Sequence, residues 1–88
     1  MKIEEDELLK KFRIGDRKAF EIIFNNYFEK LCLYSNEFVK DEGNAEEIVE
    51  DFFFNLWINH ENLEINSLKP YLFRSIHNRS INYLKKEQ

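Results

Sequence analysis

Glycine and proline are scarce in this chain, with Gly15, Gly43 and Pro70 the only examples in 88 residues. An all-β or loop-rich fold needs far more turn punctuation than that, so long helices are expected instead. A single cysteine, Cys32, rules out an intrachain disulfide. Its place inside an apolar helical run fits a small buried hydrophobe in a reducing compartment. No apolar run approaches the roughly 18 residues that would span a bilayer. The Glu-rich start is also the opposite of a cationic signal-peptide n-region. Together these absences lead us to expect a cytoplasmic protein without membrane insertion. Repeats, low-complexity tracts and strand-like alternation are missing as well.

What is present is an apolar and aromatic complement suited to a packed core. Hydrophobic residues make up 43% and charged residues 34%, too apolar for a disordered chain. Nine Phe, four Tyr and one Trp supply large rings to fill that core. A chain of this length has room for one core, so residues 1–88 are expected to form a single all-α domain, a compact bundle of about four helices.

The first helix is expected from about Ile3 to Arg13, with Glu4, Glu5, Asp6 and Glu7 early and Lys10, Lys11 and Arg13 late, as the helix dipole favours. Gly15 ends it and Asp16 can cap the second, which reaches about Lys40 with Phe20, Ile23, Phe24, Tyr27, Leu31, Tyr34 and Phe38 at spacings of three or four. Asp41, Glu42 and Gly43 read as the following turn. Asn44 reads as the next helix start, because Glu47 three positions on can complete a capping box. The polar segment from His60 to Asn66 reads as a loop anchored by Leu63 and Ile65. Ser67 can cap a last helix whose buried stripe is Leu68, Leu72, Ile76 and Leu84, with Phe73 and Ser80 beside it; Pro70 falls harmlessly in its first turn.

The formal charge of −4 conceals a division. Up to Asn66 the acids outnumber the bases sixteen to eight, whereas Ser67 to Gln88 carries five bases and one acid. From Asp41 to Asn66 there are eight acids and neither Lys nor Arg, a stretch that DNA would repel and a basic protein surface would attract. Two opposed faces with two kinds of partner follow from this division. Phe54 projects among the carboxylates, either as part of an interface or as a ring packed on another helix. On the last helix Arg74, Asn78 and Asn82 stand four apart, with Arg79 between them and Tyr71, Phe73 and Tyr83 close by. That set offers phosphate donors, amides able to read base edges and rings able to stack on bases, although a basic amphipathic helix could equally face RNA, an acidic protein or only water.

No set of residues points to catalysis. His60 and His77 have no companion Cys at ligand spacing, so no metal site is expected. Gly15 and Gly43 stand alone, so there is no phosphate loop and no cofactor is expected. Glu47, Glu50 and Asp51 lack a second set of ligands or a base, which leaves them as a solvated acidic face. The chain is therefore not expected to be an enzyme, and paired Glu-x-x-His motifs of a helical carboxylate metalloenzyme are missing.

The segment Ala45-Glu-Glu-Ile-Val-Glu-Asp-Phe-Phe-Phe-Asn-Leu-Trp57 resembles region 2.2 of extracytoplasmic-function (ECF) sigma factors of the sigma-70 family. The stretch from Ser67 to Lys86 resembles the regions 2.3 and 2.4 that follow, with an aromatic-Leu pair, Arg74, Asn78 four residues on, and a closing Asn-Tyr-Leu with basic residues. Upstream, Gly15-Asp16 and Ala19-Phe20, with Tyr27 and Leu31, are similar to the family's first helix. The resemblance covers roughly Gly15 to Lys86.

This resemblance implies an RNA polymerase partner and a promoter DNA partner. Glu47, Glu50, Asp51 and Phe54 would meet the clamp helices of the polymerase β′ subunit. Lys69, Arg74, Asn78, Arg79 and Asn82 would meet the opened −10 element, Asn78 reading a base and Lys69 adding a phosphate contact. An anti-sigma factor would be a further partner. Glu50 departs from the family in standing where Gln is frequent. The resemblance also implies a second domain, region 4, reading the −35 element; it is absent from these residues, so the chain is expected to be a piece of a longer factor. The alternative is a helical protein-interaction module that mimics a sigma factor, or binds an anti-sigma factor, without reading DNA.

Overall fold

The computed structural model describes residues 4–86. They form α1 (Glu5–Arg13), α2 (Arg17–Val39), α3 (Glu42–Ile58), a short 3-10 turn (His60–Asn62) and α4 (Leu68–Lys86), the all-α bundle of four helices that was expected. The expected first-helix start at Ile3 lies outside the described residues.

The α1 helix carries its acids first and its bases last, and ends on a Schellman motif. Gly15 N–H donates to the Phe12 carbonyl and Asp16 N–H to that of Lys11, both at 3.0 Å. Gly15 takes φ +84°, and a Cβ there would lie 3.1 Å from His60 Cε1, so both backbone and space call for glycine. Asp16 caps α2 as expected, accepting from Lys18 N–H at 2.9 Å and Ala19 N–H at 3.3 Å.

The turn between α2 and α3 is shorter than expected, and Asn44 does not cap α3. Asp41 does so, its Oδ1 accepting from Asn44 N–H at 2.9 Å, which places Gly43 and Asn44 inside the helix. The reversal falls on Lys40, whose left-handed φ of 57° lets α2 stop and α3 begin without a glycine. Pro70 is the third residue of α4, inside the first turn.

The packing follows two rows of residues at intervals of four. On α2 the buried row is Ala19, Ile23, Tyr27, Leu31, Ser35 and Val39. Because four residues overshoot a turn by about 40°, such a row winds around the helix and meets different neighbours along its length. Near its start Phe20 stacks with Phe12 of α1 (6.0 Å), while Phe24 and Phe20 meet Phe53 and Trp57 of α3 (5.0 Å each). Near its end Tyr34 and Phe38 meet Phe73 and His77 of α4, each pair at 5.1 Å. The second row, on α4, is Leu68, Leu72, Ile76 and Ser80; Leu84, expected to extend it, is only half-buried. Rows of this kind on two helices interlock as ridges in grooves.

The polar connection from Asn59 to Ser67 is pinned to the body. Leu63 and Ile65 pack against the core, as expected. Arg13 donates from Nε to the Leu63 carbonyl (2.9 Å) and from Nη2 to that of Ile65 (2.5 Å). His60 Nδ1 lies 3.0 Å from the Arg13 carbonyl, which can only accept, so Nδ1 carries the hydrogen.

Candidate functional site

With one face of α4 committed to the core, the opposite face is left to solvent. At about 100° per residue, Tyr71, Arg74, Asn78, Asn82 and Lys85 fall within a sector of about 80°. Arg74, Asn78, Asn82 and Lys85 are exposed, and Tyr71 is half-buried at the edge of the strip. The fold thus aligns two cations, two amides and a ring along one line, which is a surface able to follow a phosphate chain and contact bases.

Two other residues singled out on this helix sit elsewhere. Arg79 turns toward α3 and is half-buried, its guanidinium carbon 5.6 Å from the centre of the Phe52 ring, a cation–π contact that braces α4 on α3. Lys69 is exposed but leaves the helix about 140° round from Arg74, away from the strip.

On α3 the core takes Ala45, Val49, Phe52, Phe53 and Leu56. Glu47, Asp51, Phe54 and Ile58 are left on the outer side within about 60° of each other, and Glu50 lies on the flank about 40° further round. Phe54 is 65% exposed and Ile58 57%, so the ring does not pack on another helix. Two apolar side chains bordered by three carboxylates form a ledge with the composition of a protein interface.

The acidic and basic surfaces adjoin and are not opposed, because α3 and α4 pack side by side. Asp51 and Ile48 share a groove of about 440 Å³ with Arg79, Asn82, Tyr83 and Lys86. Closer to the connection, Phe52, Asn55, Asn59, Leu63 and Tyr71 line a cavity of about 160 Å³ beside Arg79. A second cavity of about 350 Å³ lies between Ile65, Asn66, Pro70, Tyr71 and Arg74. Tyr71 stands between the two. The interleaved rings of α4 were visible in the sequence, but the place of Tyr71 at this junction depends on how the connection folds. Asn55 and Asn59 were missed, although their spacing of four was a signal.

The charges on both surfaces are available. Among the described residues the ion pairs are Glu7–Lys11 (3.7 Å) on α1 and Arg17–Glu21 (4.0 Å) on α2, so neither involves a residue of these surfaces. Also among the described residues, no group of three or more His, Cys, Asp or Glu side chains could hold a metal ion, and no helix is long and apolar enough to cross a membrane. Burial, followed by the nearby charges of Glu46, Glu50 and Glu29, pushes the Cys32 thiol up to about 11. A thiol so held stays protonated at neutral pH and is a poor nucleophile.

The family model for sigma-70 region 2 matches residues 24–88. The chain belongs to the sigma-70 region 2 family. This is not a family of enzymes. In three dimensions the region 2 domain is similar to an engineered region 2 of sigmaE, solved by NMR in complex with GTAAAA. The TM-score is 0.82 at 22% identity, covering 97% of this chain and 90% of that one. Likeness at that identity speaks for the fold. No curated protein sequence matches the chain. The family match begins within α2, so α1 lies before the matched segment, while the connection it bonds to lies inside it.

Proposed function

We propose that this domain is region 2 of an ECF sigma factor, which docks on the β′ clamp helices of RNA polymerase and holds the opened −10 strand of a promoter. The observation that carries the reading is the pairing of two adjoining surfaces on one region 2 fold. The ledge of Glu47, Glu50, Asp51, Phe54 and Ile58 has the carboxylates and apolar anchors suited to a basic helical partner. The strip of Arg74, Asn78 and Asn82, with Tyr71 and Lys85, has the donors and stacking surface suited to unpaired DNA. Arg79 stiffens the seam between them, and Lys69 serves at most a peripheral phosphate. In this reading the 88 residues act as one domain of a cytoplasmic factor whose −35 reading resides in a separate region 4, and an anti-sigma factor would be its antagonist. The domain itself consumes no nucleotide, because strand opening needs stacking and charge, not catalytic groups.

Two binding experiments test the assignment. The domain should bind a peptide hairpin carrying the β′ clamp helices, and E50K/D51K should abolish that binding; undisturbed binding by the variant would remove the polymerase assignment. The domain should also bind single-stranded GTAAAA weakly, with loss in R74A and N78A. Equal binding of the wild type and both variants would exclude DNA reading by this strip and favour the protein-interaction alternative.

A further inference from the structure

We propose that Arg13 is a positioning residue for DNA binding, which sets the shape of the two cavities beside Tyr71 without touching DNA. The inference rests on the reading of the α4 strip as a site for single-stranded DNA. Arg13 itself precedes the family match, whereas the carbonyls it holds lie within it.

The connection between α3 and α4 has only one short 3-10 turn, so most of its carbonyls have no helical partner. Arg13 takes two of them with a single fork, 50 and 52 residues away in sequence. Those carbonyls belong to Leu63 and Ile65, and each residue lines one of the two cavities that flank Tyr71. The bond is returned, since His60 on the same connection donates to the Arg13 carbonyl. The His60 ring is held in place by Phe12 (6.0 Å) and Trp57 (5.3 Å), and lies against Gly15, where a side chain would displace it. The end of α1 and the connection are thus latched in both directions. The larger cavity, about 350 Å³, is within the roughly 300–1,000 Å³ typical of small-molecule pockets, and Arg74 of the exposed strip forms part of its wall. A base leaving the strip at Tyr71 would enter walls whose spacing Arg13 fixes.

Without the fork, the connection samples conformations in which these walls are not formed. Apparent affinity then falls in proportion to the fraction that remains competent, and a fraction of about one tenth weakens binding about tenfold. The ledge on α3 is built without the connection and should not respond.

The test compares wild type, R13Q and R13K for affinity to single-stranded GTAAAA at several salt concentrations, for affinity to the β′ clamp-helix hairpin, and for amide hydrogen exchange at residues 63–67. R13Q should weaken DNA binding about tenfold, leave hairpin binding within about twofold, and speed exchange in the connection. The slope of affinity against salt should not change, because no phosphate contact is lost. R13K keeps the charge but lacks the fork, and should be weakened several-fold; if R13Q does not fold, R13K carries the same comparison. Unchanged DNA binding in the variants, full retention by R13K, a shallower salt slope, or a parallel loss of hairpin binding would each overturn the proposal. If wild type binds no DNA, the reading of the strip fails first and the proposal with it.

Discussion

The hydroxyls of Ser35 and Ser80 lie 2.7 Å apart, both wholly buried, where the spaced-by-four row of α2 crosses that of α4. Each is the partner of the other in an otherwise apolar contact. S80A should therefore cost about 1–3 kcal/mol, since it strands the Ser35 hydroxyl without a hydrogen bond. The double variant S35A/S80A should cost clearly less than the two single changes together, because both ends of the bond disappear. Urea denaturation of the four proteins measures this coupling. Strict additivity would mean that the hydroxyls do not act as a pair.

The start of α3 gives a second test. Asp41, not Asn44, accepts the exposed helix N–H, so D41A should lower stability by about 1 kcal/mol while N44A stays within about 0.5 kcal/mol. Thermal unfolding followed by circular dichroism separates the two. A larger effect for N44A would place the cap where the sequence pattern alone puts it.

That cap shows what was legible in the sequence and what was not. The helices were readable because the apolar positions recur at three or four and the breaks carry Gly15 and Asp16, which act as their chemistry predicts. At the next break both Asp41 and Asn44 are good cap residues, but only Asn44 has a Glu three positions on, so the pattern points to Asn44. The outcome depends instead on Lys40 taking a left-handed conformation rare for a lysine, which local sequence does not signal. The strip on α4 was readable because residues four apart share a face. Its position beside the acidic ledge was not, because that depends on α3 and α4 becoming neighbours. The Arg13 fork spans 50 residues and leaves no periodic trace. Phe54 was ambiguous in a chain so rich in Phe, and only packing shows its ring to be exposed.

Tyr27 ties α2 to α1 by donating its hydroxyl hydrogen to a Glu5 carboxylate oxygen. Burial first, and then the bond to Glu5 and its charge, push the phenol from an ordinary 10.0 up to about 12. A folded value above the unfolded one means that the native state holds the proton more tightly. Its contribution is therefore complete below about pH 10 and is lost as pH rises toward 12. Melting temperatures from pH 9 to 12 should fall more steeply for wild type than for Y27F, which gives up the hydrogen bond at every pH but has no phenol to ionise. Equal slopes would assign the alkaline loss to other groups.

Arg74 and Asn78 share the α4 strip but offer different chemistry, and salt dependence can tell them apart. A guanidinium that neutralises a phosphate releases a counterion, so R74A should reduce the slope of log affinity against log salt by about 0.7 on single-stranded DNA, for all sequences alike. An amide releases no counterion. N78A should leave the slope unchanged, yet lower affinity for GTAAAA by about 1–3 kcal/mol and narrow the gap between that sequence and one altered at the base that Asn78 is proposed to read. Fluorescence anisotropy with a labelled hexamer and its single-base variants measures both quantities. A changed slope in N78A, or a sequence preference that survives its loss intact, would move base reading away from Asn78 and toward the cavities beside Tyr71.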